Sequence, residues 1–158
     1  MLWAADFDEA PINLLAVEDL IANRIVDSLA PSLSPEEHRL VATRGTNVAA
    51  AHDAYLRGRY IWTQRSLESL RQALTFLQDA VRLDPEYALT WAGLADTYRF
   101  LDDYVDRSTN DMLTPARAAA SKAIALDPTL AQPHATLGLI AMNTDWNWPV
   151  AAKKCRTR

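Results

Sequence analysis

Cysteine is almost missing from this chain: with Cys155 alone, no intramolecular disulfide can form and no thiolate cluster is available for zinc. A reducing compartment suits such a sequence, and a cytoplasmic location is expected. Long apolar runs are missing as well. No stretch approaches the roughly 18 apolar residues of a spanning helix, and Met1-Leu2-Trp3 leading into Asp6, Asp8 and Glu9 lacks the basic start of a signal peptide. Positive charge is also in short supply. With 16 Lys and Arg against 20 Asp and Glu the net charge is -4, the opposite of the basic face that displaces counterions from nucleic acid. Neither direct nucleic acid contact nor membrane contact is expected of this segment.

Signatures of catalysis are equally sparse. There is no glycine-rich phosphate loop and no Gly-x-Ser-x-Gly elbow. His38, His52 and His134 are scattered, and no two stand at the i, i+4 spacing of a metalloprotease pair. Asp102-Asp103-Tyr104-Val105-Asp106 with Asn110-Asp111 gathers oxygens but lacks the central Gly and terminal Glu of a calcium loop, so it reads as a solvated loop. Cys155 lies in a basic segment that would lower its pKa, yet has no His partner nearby and reads as an incidental thiol. Lys153, Lys154, Arg156 and Arg158 read as the polar face of a helix. No catalytic residue, cofactor or metal is assigned, and the chain is not expected to be an enzyme.

What is present is repetition. Ala80-Val81-Arg82-Leu83-Asp84-Pro85 returns forty-three residues later as Ala123-Ile124-Ala125-Leu126-Asp127-Pro128, and a second apolar helical run follows each copy. Ala88 matches Ala131, Trp91 matches His134, and Leu94 matches Leu137. A supersecondary unit reused in this way points to a helical array whose function lies in a binding surface.

The chain divides near Gly45. In residues 1–44, Leu2 to Asp8 alternate as a short strand does, and Leu14, Val17, Ile21 and Ile25 recur at helical steps between Pro11 and Ala30-Pro31. Ser34-Pro35-Glu36-Glu37 forms a capping box for a short helix. In residues 45–158 the pattern is helical throughout. Asn47 is the expected N-cap of a first helix reaching Tyr60-Ile61-Trp62, and Leu67, Leu70, Leu74, Leu77 and Val81 mark a second, closed by Asp84-Pro85. Third, fourth and fifth helices are predicted from about Glu86 to Leu101, Thr114 to Leu126, and Leu130 to Met142. The predicted fold is mainly α, built of antiparallel helix pairs.

These residues resemble tetratricopeptide repeats. Trp91, Leu94, Ala95 and Tyr98 are similar to the set on the first helix of that repeat, and Ala116, Ala120, Ala123 and Pro128 to the set on its second. In the preceding unit Gly58 resembles the small first-helix position, with Ala73, Leu77, Ala80 and Pro85 on the second. A third unit opens with His134, Leu137 and Gly138 and stays incomplete. Small residues let helix axes approach closely, so a bulky replacement overpacks the crossing. The period departs from the family's, the excess lying in Asp102 to Leu113, read as an extended loop.

The order of segments, through Ala54-Tyr55-Leu56-Arg57-Gly58-Arg59-Tyr60 and on to Asp145-Trp146-Asn147-Trp148, resembles bacterial regulators that join a winged-helix domain, a TolB-like α/β domain and tetratricopeptide repeats. Related arrays are fused to adenylate cyclases and protein kinases. The resemblance implies that residues 1–44 are the C-terminal remnant of a TolB-like domain and that the repeats are a sensory or partner-binding arm of a transcriptional regulator. The alternatives are the sensory region of a signalling enzyme, or a truncated gene remnant. Both ends read as incomplete, as a frameshift or truncation would leave them. An unfinished third repeat leaves about 300 Å² of apolar surface open, so self-association through it is expected.

The surface singled out for a protein or peptide partner is the concave face that first helices line in such arrays. Taking Gly58, Ala95 and Gly138 as equivalent places Tyr55, Arg59 and Trp62 there in the first unit, Ala92, Asp96 and Arg99 in the second, and Ala135, Leu139 and Met142 in the third. Such a groove suits an extended or helical peptide, Trp62 giving apolar area and Arg59 or Arg99 pairing an acidic group. A core position for Trp62 is the competing reading.

Overall fold

Residues 45–105 and 111–143, with Ile21 and Arg24, are described by a computed structural model of the chain. The chain separates into two compact units, Met1–Arg44 and Gly45–Arg158. The strand and helix expected in 1–44, the Ser34 capping box, the Trp146 segment and Cys155 lie outside the described residues. Among the described residues of the second unit there are five helices and no strand, and no helix is long and apolar enough to cross a membrane. The helices are α1 (Ala49–Trp62), α2 (Leu67–Leu83), α3 (Ala88–Asp102), α4 (Leu113–Leu126) and α5 (Ala131–Asn143).

Each helix packs on the next, and α1 touches α3 as α3 touches α5, so the odd-numbered helices form one layer. The amphipathic stripe of α2 explains its place: Leu70, Ala73, Leu77 and Ala80 are buried, with Leu67, Leu74 and Val81 half-buried beside them. Leu77 joins Leu94, Ala95, Ala119, Ala120 and Leu137 in the main apolar cluster, while Trp62, Leu70, Ala73 and Leu101 form a second. Leucine and alanine make up most of these clusters, and the alanines matter because helix axes approach closely only over short side chains. At Gly58 the approach leaves no room for a side chain, since a Cβ there would lie 2.9 Å from Leu77 Cγ and 3.3 Å from the carbonyl oxygen of Ala73.

The sequence repeat is a structural repeat at its turns. Asp84 and Asp127 end α2 and α4 with nearly the same backbone, φ -143° and ψ 94° against φ -143° and ψ 99°. Each aspartate's amide donates to an alanine carbonyl four residues back, from Asp84 to Ala80 and from Asp127 to Ala123. Each carboxylate then accepts an amide two residues on, from Glu86 at 3.0 Å and from Thr129 at 2.9 Å. Short polar side chains make such local bonds in place of helix continuation, and the proline that follows disfavours helical geometry in the residue before it.

Three boundaries differ from those expected. α1 has Val48 at its N-cap with no side-chain cap, and Asn47 is not its N-cap. Thr46 Oγ1 accepts the Val48 amide and donates to Asp84, which ties the entrance of α1 to the end of α2. α3 begins at Ala88, two residues after Glu86, because the Glu86 amide is held by Asp84 and the Tyr87 amide turns back to the Asp84 carbonyl. Asp102, expected in a loop, is the last residue of α3 and only 4% exposed. A cap absent from the expectations stands before α2: Ser66 Oγ accepts the Ser69 amide and Ser69 Oγ accepts the Ser66 amide, a reciprocal box with serine in the usual Glu position.

Candidate functional site

The layer of odd-numbered helices carries the residues singled out for partner binding. On α1, Tyr55 and Arg59 are half-buried one turn apart, and Trp62 at the helix end is 9% exposed. On α3, Ala92 is fully buried and adds close packing with no surface, while Asp96 and Arg99 are half-buried. On α5, Ala135 and Leu139 are exposed and Met142 is half-buried.

Two groups emerge across these helices. In the first, Tyr55 feels both Arg59 and Asp96, and burial pushes its phenol above the ordinary value, with Arg59 opposing and Asp96 adding to the rise. Asp96 joins α3 to α5, its oxygens accepting from Gln132 Nε2 at 2.6 Å and from Thr136 Oγ1. Those acceptances occupy Asp96 on the α5 side. Among the described residues Arg59 has no ion pair.

The second group is built on rings. Trp62 meets Phe100 edge to face, with centroids 5.3 Å apart and planes at 78°. Three guanidiniums surround the pair: Arg59 lies 4.8 Å from the Trp62 ring, Arg65 lies 4.1 Å from Trp62 and 4.2 Å from Phe100, and Arg99 lies 4.0 Å from Phe100. Arg99 also pairs with Asp103 at 3.6 Å and shares a small recess with Leu139 and Asn143. Trp62 thus occupies the core and offers little apolar area to a ligand. The arginines gain from the negative ring faces, each such contact giving roughly 0.5–2 kcal/mol according to its exposure.

Three hydrogen-bond donors in this group are buried without a partner: Arg59 Nη1, Trp62 Nε1 and Arg99 Nε. A fourth buried group without a partner, Thr90 Oγ1, belongs to the first turn of α3. Burying an unsatisfied donor costs about 1–3 kcal/mol, and such groups are uncommon in folded proteins. Arg65 adds local strain, being among the described residues the non-glycine one with a positive φ, 54°. Its amide donates to the Trp62 carbonyl, and its carbonyl accepts from Tyr104 Oη at 2.6 Å. A left-handed residue after a helix is common as a cap but is usually glycine.

A second hollow, of about 290 Å³, lies between α2, α3 and α4, lined by Val81, Trp91, Leu94, Tyr98, Pro115 and Ala119. Its indole and amide donors are already paired. Trp91 Nε1 donates to the Pro85 carbonyl at 2.8 Å, and Gln78 Nε2 donates to Tyr98 Oη at 3.1 Å.

Sequence reasoning named Tyr55, Arg59, Trp62, Asp96 and Arg99, which the structure brings to one layer. It missed Phe100, Arg65, Gln132 and Thr136. Phe100 follows Arg99 directly, and the helical angle between neighbours gave no sign that Phe100 would meet Trp62 while Arg99 lies over the Phe100 ring. Among the described residues no cluster of His, Cys, Asp or Glu is suited to hold a metal ion.

No protein-family model matches the chain, and no solved structure matches it. The chain is similar to "Putative adenylate cyclase 3" of Rhizobium meliloti (strain 1021), with 30% identity over 141 residues, 87% of this chain and 24% of that protein. It therefore spans about a quarter of the length of the curated relative it matches.

Proposed function

We propose that residues 45–158 form a tetratricopeptide-like array that serves as the partner-binding arm of a bacterial signalling or regulatory protein, taking a peptide segment on the layer of α1, α3 and α5. The observation that carries this reading is the set of buried donors without partners on that layer, whereas in the hollow between α2, α3 and α4 the Trp91 indole and Gln78 amide donors are paired. Groups left unsatisfied in the free protein gain most when a partner supplies the missing acceptors. The repeated Asp84 and Asp127 turns and the pairwise packing of helices support the array. No residue is given a catalytic role.

Two outputs fit such an arm. The order of sequence segments resembles winged-helix transcriptional regulators with TolB-like and tetratricopeptide segments. The similarity to a cyclase over most of this chain favours the sensory region of a signalling enzyme. Replacing the matching segment of that cyclase by this chain and measuring cyclic AMP output separates the two: retained, ligand-responsive output supports the enzyme reading, and its loss in a folded chimaera opposes it.

The binding face itself is tested by selecting peptides from a displayed random library against the full chain and mapping the winners by hydrogen exchange. Protection is expected along α1, α3 and α5. Protection confined to α2 and α4, or a selection that enriches nothing, refutes the reading.

A further inference from the structure

We infer that the hollow between α2, α3 and α4 is a binding site for a small uncharged molecule of two aromatic rings carrying one hydrogen-bonding oxygen. The site stands apart from the peptide-binding reading. It lies on a different side of α3 from Ala92, Asp96 and Arg99, since its α3 residues are Trp91, Leu94 and Tyr98.

Two features of the repeat leave the space. α2 and α4 each pack on α3 but make no substantial contact with one another, so the gap between them is floored by α3. The forty-three-residue offset pairs Ala119 with Phe76 and Ala120 with Leu77, which means that the second unit has alanines where the first has bulky side chains. Ala119 lines the hollow, so the shortening falls at its wall. Leu94 and Ala119 are buried at the floor, while Val81, Trp91, Tyr98 and Pro115 are half-buried around it.

Size and chemistry narrow the ligand. An apolar cavity of about 150 Å³ holds one benzene ring, and this one has about 290 Å³, room for two rings. Trp91 and Tyr98 stand two turns apart on one side of α3 with Leu94 between them, and aromatic side chains add favourable ring contacts to simple burial. The Trp91 indole is fixed by its bond to the Pro85 carbonyl. None of the lining residues is charged, so an ion would lose its water there and gain no counter-charge. The Tyr98 hydroxyl accepts from Gln78 and keeps its own proton, the one donor offered to a ligand oxygen.

The surroundings favour a small molecule over a protein. A stable protein interface needs about 800 Å² on each side, with an apolar patch at its centre. The exposed large apolar side chains among the described residues include Leu56, Tyr60 and Leu83, and none of them lines this hollow. One turn away from the lining residues, Thr75 and Arg82 on α2 and Thr114 and Ser121 on α4 are exposed. The apolar surface is therefore confined to the hollow itself.

The test uses the full chain and three probes, 2-naphthol, naphthalene and 2-naphthoate, titrated by NMR at neutral pH. 2-Naphthol is expected to give intermolecular Overhauser contacts to the methyls of Val81, Leu94 and Ala119. 2-Naphthoate should bind at least about tenfold more weakly, because its carboxylate meets no cation. Ala118 is exposed at the mouth, and Ala118→Leu keeps a good helix former while closing the opening, so affinity for 2-naphthol should drop at least about tenfold. Tyr98→Phe should weaken 2-naphthol about fivefold, the share of one neutral hydrogen bond, and leave naphthalene unchanged. The wild-type contacts keep the test decisive should a variant misfold. No binding of 2-naphthol up to its solubility limit, contacts that map to other residues, equal binding of 2-naphthoate, or an affinity unmoved by Ala118→Leu would each overturn the inference. Equal losses for 2-naphthol and naphthalene in Tyr98→Phe would overturn the role given to the hydroxyl.

Discussion

Gly58→Ala sets two known effects against each other, and the structure decides which wins. Alanine in a helix interior is favoured over glycine by about 1 kcal/mol. The new methyl, however, would lie 2.9 Å from Leu77 Cγ, 3.2 Å from Leu77 Cδ2 and 3.3 Å from the Ala73 carbonyl oxygen. Leu77 is fully buried, and Cγ is its branch point, so relief requires moving the whole side chain or separating α1 from α2. Overpacking of this kind costs about 1–3 kcal/mol, and both a branch carbon and a backbone atom are involved, which places the cost in the upper part of that range. A net loss of about 1–2 kcal/mol remains after the helical gain. Gly93→Ala is the internal control, because its methyl would meet the two terminal methyls of Leu77 at 3.2 and 3.5 Å, and the change should stay within about 0.5 kcal/mol of wild type. Urea unfolding followed by far-UV circular dichroism reads both. With a slope of about 1.5 kcal/mol per M, the Gly58→Ala midpoint should fall by about 0.7–1.3 M. A double-mutant cycle with Leu77→Ala sharpens the test, since removing the obstructing side chain should abolish most of the penalty. Gly58→Ala as stable as wild type, or equally costly in the Leu77→Ala background, would refute the claim that close approach at this crossing requires glycine.

Asp96→Ala removes the acceptor shared by Gln132 and Thr136, and should cost about 1–3 kcal/mol, with α5 amides losing hydrogen-exchange protection before those of α1 and α2. Ser66→Ala deletes half of the reciprocal cap on α2 and should cost about 1 kcal/mol in urea unfolding. The phenol of Tyr55 is raised in the folded state, chiefly by burial, so it releases its proton less readily folded than unfolded. Its share of stability is therefore complete below the unfolded phenol value, about 10, and is lost as pH rises through the folded value. Tyr55→Phe should flatten the alkaline fall in stability and leave the profile below about pH 9 unchanged in shape.

The helices were legible where their signals are local. Asp84-Pro85 and Asp127-Pro128 end helices through bonds made within four residues, and the apolar steps of α2 fix which side faces the core. The start of α1 was misread because its anchor is Thr46, which works through a contact with Asp84 thirty-eight residues away. The Ser66 box escaped notice because a serine stands where Glu or Gln usually does. At the candidate site, periodicity gave the direction of Trp62 but could not give its depth, which depends on Phe100 of another helix. Arg65 was invisible for a related reason: a positive φ is signalled in sequence by glycine or asparagine, and here a tyrosine hydroxyl thirty-nine residues on holds the carbonyl of an arginine.

Repetition itself separates scaffold from specificity. Positions that recur between units are those the fold spends on packing: Leu94 and Leu137 are both buried, as are Ala95 and Gly138, and Asp84 and Asp127 make the same turn. Across the odd-helix layer the residue type changes at each position except between Ala92 and Ala135. Tyr55 is followed by Ala92 and Ala135, Arg59 by Asp96 and Leu139, and Trp62 by Arg99 and Met142. A position that only had to pack would face the same neighbours in each unit and settle on the same residue type, as the Leu and small positions do. The buried donors without partners, Thr90 apart, all belong to the varying set and to its first two units. Exchanges such as Arg99→Gln should consequently change which peptides bind far more than they change unfolding, whereas exchanges at Ala73, Ala80 or Ala123 should do the reverse.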